Sequence, residues 1–201
     1  IKHDQNYAEA WLNKGVALNN LQRHDEAINS YNQAIQIDAK YSDAIFNRSL
    51  TELYQLQFKN GWEDYEARWQ SKGFNSKPII TSKLRWQGHQ IDGILFIWAE
   101  QGIGDQILFG SVLNELQNIA KKIIISVDKK LLSIFSRSFP SFIFVDKDLP
   151  LSEDLYSQQI PIASICQYFR GDVKSFNFAT YPFLFDNPNK TKEIKSLKPF
   201  F

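Results

Sequence analysis

Apolar residues recur at helical spacing through the first 70 residues, and the same pattern returns after about 34 positions. Within each copy, small residues stand where two helices must approach closely. In the first copy the repeated positions are Trp11, Gly15, Leu18, Ala27, Tyr31 and Ala34. The second copy has Ile45, Ser49, Gly61, Tyr65 and Arg68 at the matching places. The pattern predicts two consecutive helical hairpins, the second more degenerate, with Arg68 in place of a small residue.

This spacing is similar to that of the tetratricopeptide repeat, whose stacked hairpins hold other proteins. We therefore predict a protein partner for residues 1–70. The last helix also has a large aromatic face, because Trp62, Tyr65 and Trp69 lie at positions i, i+3 and i+7. Aromatic residues at this spacing favour packing, although stacking against a sugar or a peptide stays open as an alternative.

Residues 71–92 lose the helical pattern and form a predicted linker between two domains. Leu84 and Trp86 are its expected apolar anchors. The turn-forming residues of this linker are Gly73, Pro78 and Gly88, and Gly93 follows directly after it.

Residues 93–201 are predicted to form a Rossmann-like α/β domain. Three short apolar runs, 94–99, 122–127 and 142–145, are typical of strands covered on both faces, and helical spacing lies between them. The order β-α-β-α-β implies a parallel, doubly wound sheet, because parallel neighbours need crossover connections. Ligands of such sheets bind at the carboxyl ends of the strands.

Composition narrows the possible functions. The chain has 201 residues with 43% hydrophobic content, and its 23 basic and 22 acidic residues leave a net charge of +1. A balanced charge without a basic run gives no support to a nucleic-acid partner, and no apolar run is long enough to span a membrane. The single cysteine, Cys166, fits a reducing, cytoplasmic compartment and is expected to be buried and unreactive. We predict neither a metal site nor a bound cofactor. The sequence contains no methionine, even at position 1, so we expect it to be a piece of a longer protein.

The turn after the first predicted strand offers the main candidates for chemistry. Gly102 and Gly104 can adopt backbone angles that are closed to other residues. Two interpretations stay open: the turn leaves room for a ligand to approach the chain, or it is simply a tight strand-to-helix turn. A dinucleotide fingerprint is disfavoured because Ile107 replaces its third glycine. Asp105 is a candidate catalytic group or a helix N-cap that accepts backbone N–H bonds. The remaining candidates for substrate binding are Glu100 and Gln101, with solvated surface positions as the alternative.

Three segments resemble one known family, the bacterial tetratricopeptide proteins with a glycosyltransferase-like region. These segments are residues 61–69 (GWEDYEARW), 85–88 (RWQG) and 98–107 (WAEQGIGDQI). The family is related to heptosyltransferases and to the protein O-linked N-acetylglucosamine transferases, which share the two-domain GT-B architecture. The resemblance spans nearly the whole chain.

The resemblance implies that this chain is the last repeats and the N-terminal, acceptor-side domain of a sugar transferase. Asp105 would take the proton from an acceptor hydroxyl, although a carboxylate at a helix N-terminus is a weakened base and would also suit hydroxyl orientation. A nucleotide-sugar would bind only with the C-terminal donor domain, so this fragment alone is expected to be inactive. The alternative is a non-enzymatic interaction scaffold with a degenerate α/β domain.

Overall fold

The computed structural model describes residues 7–178 and 182–196. Its backbone contacts divide the chain into two compact units. The helical unit consists of Ile1–Ile79 with Ser164–Phe178, and the sheet unit consists of Ile80–Ala163 with Ala179–Phe201. Residues 164–178 are thus grouped with the hairpins, whereas the sequence pattern placed them in a domain beginning at residue 93.

The helical unit begins with two hairpins, as the 34-residue period predicted. The first is formed by α1 (Ala8–Asn20) and α2 (His24–Ile37), and the second by α3 (Ser42–Tyr54) and α4 (Phe58–Tyr65). A 3₁₀ helix at Glu66–Gln70 follows α4 directly. Four of the repeated positions, with Leu12 and with Ala44 of α3, form the buried core of the first hairpin: Leu12, Leu18, Ala27, Tyr31, Ala34 and Ala44.

The two hairpin turns are built alike. The N–H of Arg23 donates to the carbonyl of Leu18 at 2.9 Å, and in the second turn Gln57 donates to Glu52 at 2.8 Å. Each turn contains one residue in the left-handed region, Gln22 with φ 60° and Leu56 with φ 61°. The repeat is therefore visible in the backbone hydrogen bonds as well as in the sequence.

Arg68, the large cation at a small-residue position, is fully buried. Its guanidinium carbon lies 4.5 Å from the ring centroid of Tyr65 and 4.2 Å from that of Trp69. Its Nη1 donates to Glu66 Oε1 at 3.0 Å and its Nη2 to Ser164 Oγ at 2.8 Å, while Ser164 Oγ donates to Glu66 Oε1 at 2.5 Å. Two of the three predicted aromatic residues, Tyr65 and Trp69, thus pack on an internal cation. The same cation binds residues 164–178 to the hairpins through Ser164.

The sheet unit contains five parallel strands in the order β1-β5-β2-β3-β4. Their bounds are β1 (Leu84–Arg85), β2 (Ile94–Trp98), β3 (Lys122–Val127), β4 (Ile143–Asp146) and β5 (Gln158–Pro161). Helix α5 (Ile103–Gly110) connects β2 to β3, and α6 (Leu132–Ser138) connects β3 to β4. The predicted β-α-β-α-β order and parallel sheet are confirmed.

Two strands were missed by the sequence analysis. β1 lies within the predicted linker, and β5 begins with two glutamines, so neither has a long apolar run. Of the two expected anchors in the linker, Trp86 is fully buried, whereas Leu84 is 75% exposed. The assignment of Leu84 as an anchor was wrong because the edge strand β1 directs this side chain to solvent.

In the part of the chain that the structure describes, two further α-helices follow β5. These are α7 (Cys166–Phe169), which belongs to the helical unit and packs against α4, and α8 (Pro188–Ser196), which belongs to the sheet unit. In the described ranges, no helix is long and apolar enough to cross a membrane.

Candidate functional site at the carboxyl end of the central strand

The candidate turn follows β2, the central strand of the sheet. Chain order reverses here, because β2 has β3 on one side and the last strand, β5, on the other. Parallel sheets bind ligands in the crevice outside the carboxyl ends of their strands at such a reversal. Ala99–Gly102 connect the end of β2 to the start of α5, so the turn lies where the topology favours a site.

Asp105 lies in the first turn of α5, with its side chain partly exposed. Its Oδ2 accepts the N–H of Gly102 at 3.1 Å. Gly102 is the N-cap residue and Asp105 is the third helical residue, so the N-cap hypothesis for Asp105 was wrong, although its carboxylate does satisfy an N–H at the helix start. Among the described residues, Oδ1 of Asp105 has no hydrogen-bond partner and is available to a ligand hydroxyl.

Glu100, a predicted substrate-binding residue, is 3% exposed, which contradicts the alternative of a solvated surface position. Its Oε1 accepts the backbone N–H of Ala163, just beyond β5, at 3.3 Å. The carboxylate thus joins the ends of β2 and β5 at the reversal of strand order. A buried carboxyl group needs hydrogen-bond partners of this kind.

The glycines of the turn do not use the conformations expected of them. Gly102 has φ −83° and ψ 176°, which other residues adopt, whereas Gln101 is the residue in the left-handed region with φ 61°. A β-carbon on Gly104 would have no heavy atom within 4 Å. The left-handed residue therefore lies one residue before Gly102 and three before Gly104, and Gly104 leaves open space beside the start of α5.

Gln106 holds the turn together and was missed by the sequence analysis. Its side chain is fully buried; Oε1 accepts the N–H of Asp128 after β3 at 2.8 Å, and Nε2 donates to the carbonyl of Gln101 at 3.4 Å. Ser126 of β3 similarly accepts the N–H of Ala99 through its hydroxyl at 3.1 Å. The one signal available in the sequence was a glutamine on the apolar face of a predicted helix, because a polar side chain buried there needs hydrogen-bond partners.

Other candidate chemistry is not supported by the described geometry. Cys166 is a buried free thiol, as expected. Across residues 7–178 and 182–196, no group of three or more metal-ligating side chains is close enough to hold a metal ion. The available chemistry of the candidate site thus lies in Asp105 and the polar backbone of its turn.

Comparison with known protein families finds a match within the helical unit. Residues 8–41 match the tetratricopeptide repeat family, in agreement with the first predicted hairpin. Residues 8–41 are thus similar to one tetratricopeptide repeat, and the chain also contains an α/β unit with a parallel sheet.

Two individual proteins are similar to this chain. Protein FlbA of Caulobacter vibrioides is 25% identical over 141 residues, which cover 67% of this chain and 24% of FlbA. A solved structure of a mutant O-GlcNAc transferase from Thermobaculum terrenum matches with a TM-score of 0.31 and 10% identity, covering 74% of this chain and 36% of that one. The chain therefore spans about a quarter of the length of the curated relative that it matches.

Proposed function

We propose that the sheet unit is the acceptor-binding, N-terminal domain of a GT-B glycosyltransferase, which transfers a sugar from a nucleotide-sugar to a hydroxyl group. The observation that carries this proposal is the position of Asp105, whose carboxylate has one unpartnered oxygen beside the carboxyl end of the central strand. The motif resemblance of residues 98–107 to the heptosyltransferase turn supports the same role.

Asp105 would act on the acceptor hydroxyl. Because Oδ2 is held by the N–H of Gly102, Oδ1 has a fixed position from which it accepts the hydroxyl hydrogen. The open space beside Gly104 would admit the acceptor, and the backbone of Gln101 would line its entrance.

The donor would be held by a second α/β domain of the complete protein. A nucleotide-sugar carries a diphosphate, which needs helix N-termini or basic side chains. The carboxylates of Glu100 and Asp105 would repel such a group from this turn. The repeats would bring a protein to the enzyme, either as the acceptor or as a regulator.

The test uses the full-length protein with a panel of nucleotide-sugars and a measurement of nucleoside diphosphate release. Asp105→Asn should lower the rate about 100-fold or more if the carboxylate is the general base, and only a few-fold if it orients the hydroxyl. Asp128→Asn is the matched control, because Asp128 follows the neighbouring strand and accepts the N–H of Lys130. An unchanged rate in Asp105→Asn would remove Asp105 from the mechanism.

A second candidate function is a non-enzymatic interaction scaffold. The observation that favours it is that Glu100 and Gln106, the buried polar side chains at the strand ends, already bind the protein's own backbone. A scaffold would release no nucleoside diphosphate from any donor and would still bind its partner after Asp105→Asn. That pair of results would establish the scaffold and reject the transferase.

A further inference from the structure

A groove lies on the helical unit between the second hairpin turn and the segment that follows α7. Its volume is about 450 Å³. One wall is formed by residues 56–60 and the other by residues 171–174, all of which belong to the helical unit. The groove is therefore separate from the turn that carries Asp105.

The groove presents apolar side chains to solvent. Leu56 is 58% exposed and Val173 is 55% exposed. Phe58 is partly buried beside them, with its ring 4.8 Å from the ring of Phe176. Single exposed apolar residues are common on protein surfaces, but these two line the same concave surface.

Leu56 is also held in an unfavourable backbone conformation. Its φ of 61° lies in the left-handed region, which costs a residue with a β-carbon roughly 1–2 kcal/mol. The equivalent residue of the first hairpin turn, Gln22, has the same φ but a polar side chain. Folding therefore does not explain why a leucine occupies this exposed position.

Two cations line the groove. Lys59 and Lys174 are both exposed, and among the described residues neither ammonium group has a hydrogen bond or an ion pair. The one carboxylate of the lining, Asp172, accepts the N–H of Ser175 through Oδ1 at 2.8 Å. The lining thus has an excess of one positive charge next to its apolar surface.

We propose that this groove binds an acidic peptide segment of a partner protein. An apolar side chain of the peptide would pack against Leu56 and Val173, and carboxylates on either side of it would approach Lys59 and Lys174. The apolar contact supplies affinity, and the charges supply selectivity and speed of association. This binding would be independent of sugar transfer, because the groove contains none of the residues of the candidate site.

The test is a fluorescence anisotropy titration of the full chain with a labelled peptide that has a central leucine flanked by glutamates. Lys59→Glu together with Lys174→Glu should weaken binding about tenfold or more, because two attractions become repulsions. The matched control is Lys40→Glu with Lys77→Glu, which changes the net charge equally at exposed positions outside the groove. Added salt should weaken binding to the unmodified chain.

Leu56→Gly tests the apolar contact without a risk of unfolding. Glycine adopts the left-handed region at no steric cost, so this variant should fold at least as well as the original chain. Peptide affinity should nevertheless fall about fivefold or more, because the leucine contact is lost. Gln22→Gly makes the same backbone change in the first turn and should leave affinity unchanged.

Three results would overturn the proposal. The first is an absence of binding to the unmodified chain, and the second is equal binding of a peptide with lysines in place of the glutamates. The third is a concentration-dependent dimer in sedimentation that Leu56→Gly dissociates, which would assign the groove to a second copy of the chain.

Discussion

The ring of Tyr31 packs so closely on Gly15 that a β-carbon at position 15 would lie 2.4 Å from the ring atom Cε1. Real β-carbons are not found at such a distance, so the approach of α1 to α2 depends on the absence of a side chain. Tyr31 is 1% exposed and cannot swing into solvent without opening the core of the first hairpin.

Gly15→Ala should therefore lower the free energy of unfolding. Overpacking a well-filled core costs about 1–3 kcal/mol, and the helix propensity gained by alanine offsets about 1 kcal/mol of this. Urea denaturation followed by circular dichroism measures the difference. Gly104→Ala is the control, because nothing lies within 4 Å of its β-carbon, and it should be neutral or slightly stabilising.

Glu52 should make the stability of the helical unit depend on pH. Burial, followed by the negative charge of Asp64, raises the pKa of the Glu52 carboxyl from 4.5 to about 7. Its Oε2 has no hydrogen-bond partner within residues 7–178 and 182–196. Arg48 Nε lies 4.0 Å from Oε1 but only 2.6 Å from Asp64 Oδ2. The folded state therefore binds the Glu52 proton more tightly than the unfolded state does.

The stabilisation of the fold by the neutral Glu52 carboxyl should be fully present below pH 4.5 and should be lost as the pH rises through about 7. Glu52→Gln, which keeps the uncharged form at every pH, should be more stable than the original chain at pH 8 by on the order of 2–3 kcal/mol. The two should converge near pH 4. Glu9→Gln, at an exposed carboxyl of α1, is the control; a parallel pH dependence of Glu52→Gln and the original chain would contradict the prediction.

Arg68 should be among the most sensitive positions of the helical unit. Arg68→Met leaves Glu66 and Ser164 without their cation, and breaking a buried ion pair costs about 3–5 kcal/mol, less here because Glu66 is 25% exposed. The double variant Arg68→Met with Glu66→Gln should recover part of the loss. Strict additivity of the two single changes in chemical denaturation would show that the pair does not interact.

Gln106→Leu should loosen the candidate turn. Leucine fills a similar volume but removes the acceptor for the N–H of Asp128, and an unsatisfied buried donor costs about 1–3 kcal/mol. Amide hydrogen exchange should accelerate at Asp128. Gln117→Leu, at an exposed position beyond α5, should leave that amide unchanged. Unaltered protection in Gln106→Leu would mean that Asp128 does not depend on Gln106.

The four helices of the hairpins and the strands β2, β3 and β4 could be predicted because their signals are local. The small and aromatic positions from Trp11 to Arg68 have a fixed spacing, and the runs of β2 and β3 are largely apolar because both faces of the sheet are covered. The strand β5 could not be predicted in this way. Its sequence, Gln158–Pro161, becomes a strand because it pairs with β2 from Leu95 to Trp98.

The candidate site was only partly predictable. Its location followed from the strand-to-helix turn, and Asp105 was correctly placed near the start of a helix. The partners of Glu100 and Gln106 lie 63 and 22 residues away along the chain, at Ala163 and Asp128. No local pattern predicts which of several polar side chains will be buried by contacts at such separations.

The sequence by itself determined the two hairpins, the parallel sheet and the turn that follows its central strand, because hydrophobic spacing and turn residues act over a few positions. The tertiary structure alone decided that Arg68 is an internal cation, that Glu100 joins two strand ends, and that Leu56 and Val173 share a groove with two lysines. These relationships depend on which distant segments pack together. The packing is determined by the burial of whole faces of helices and sheets, and no single stretch of the chain determines it.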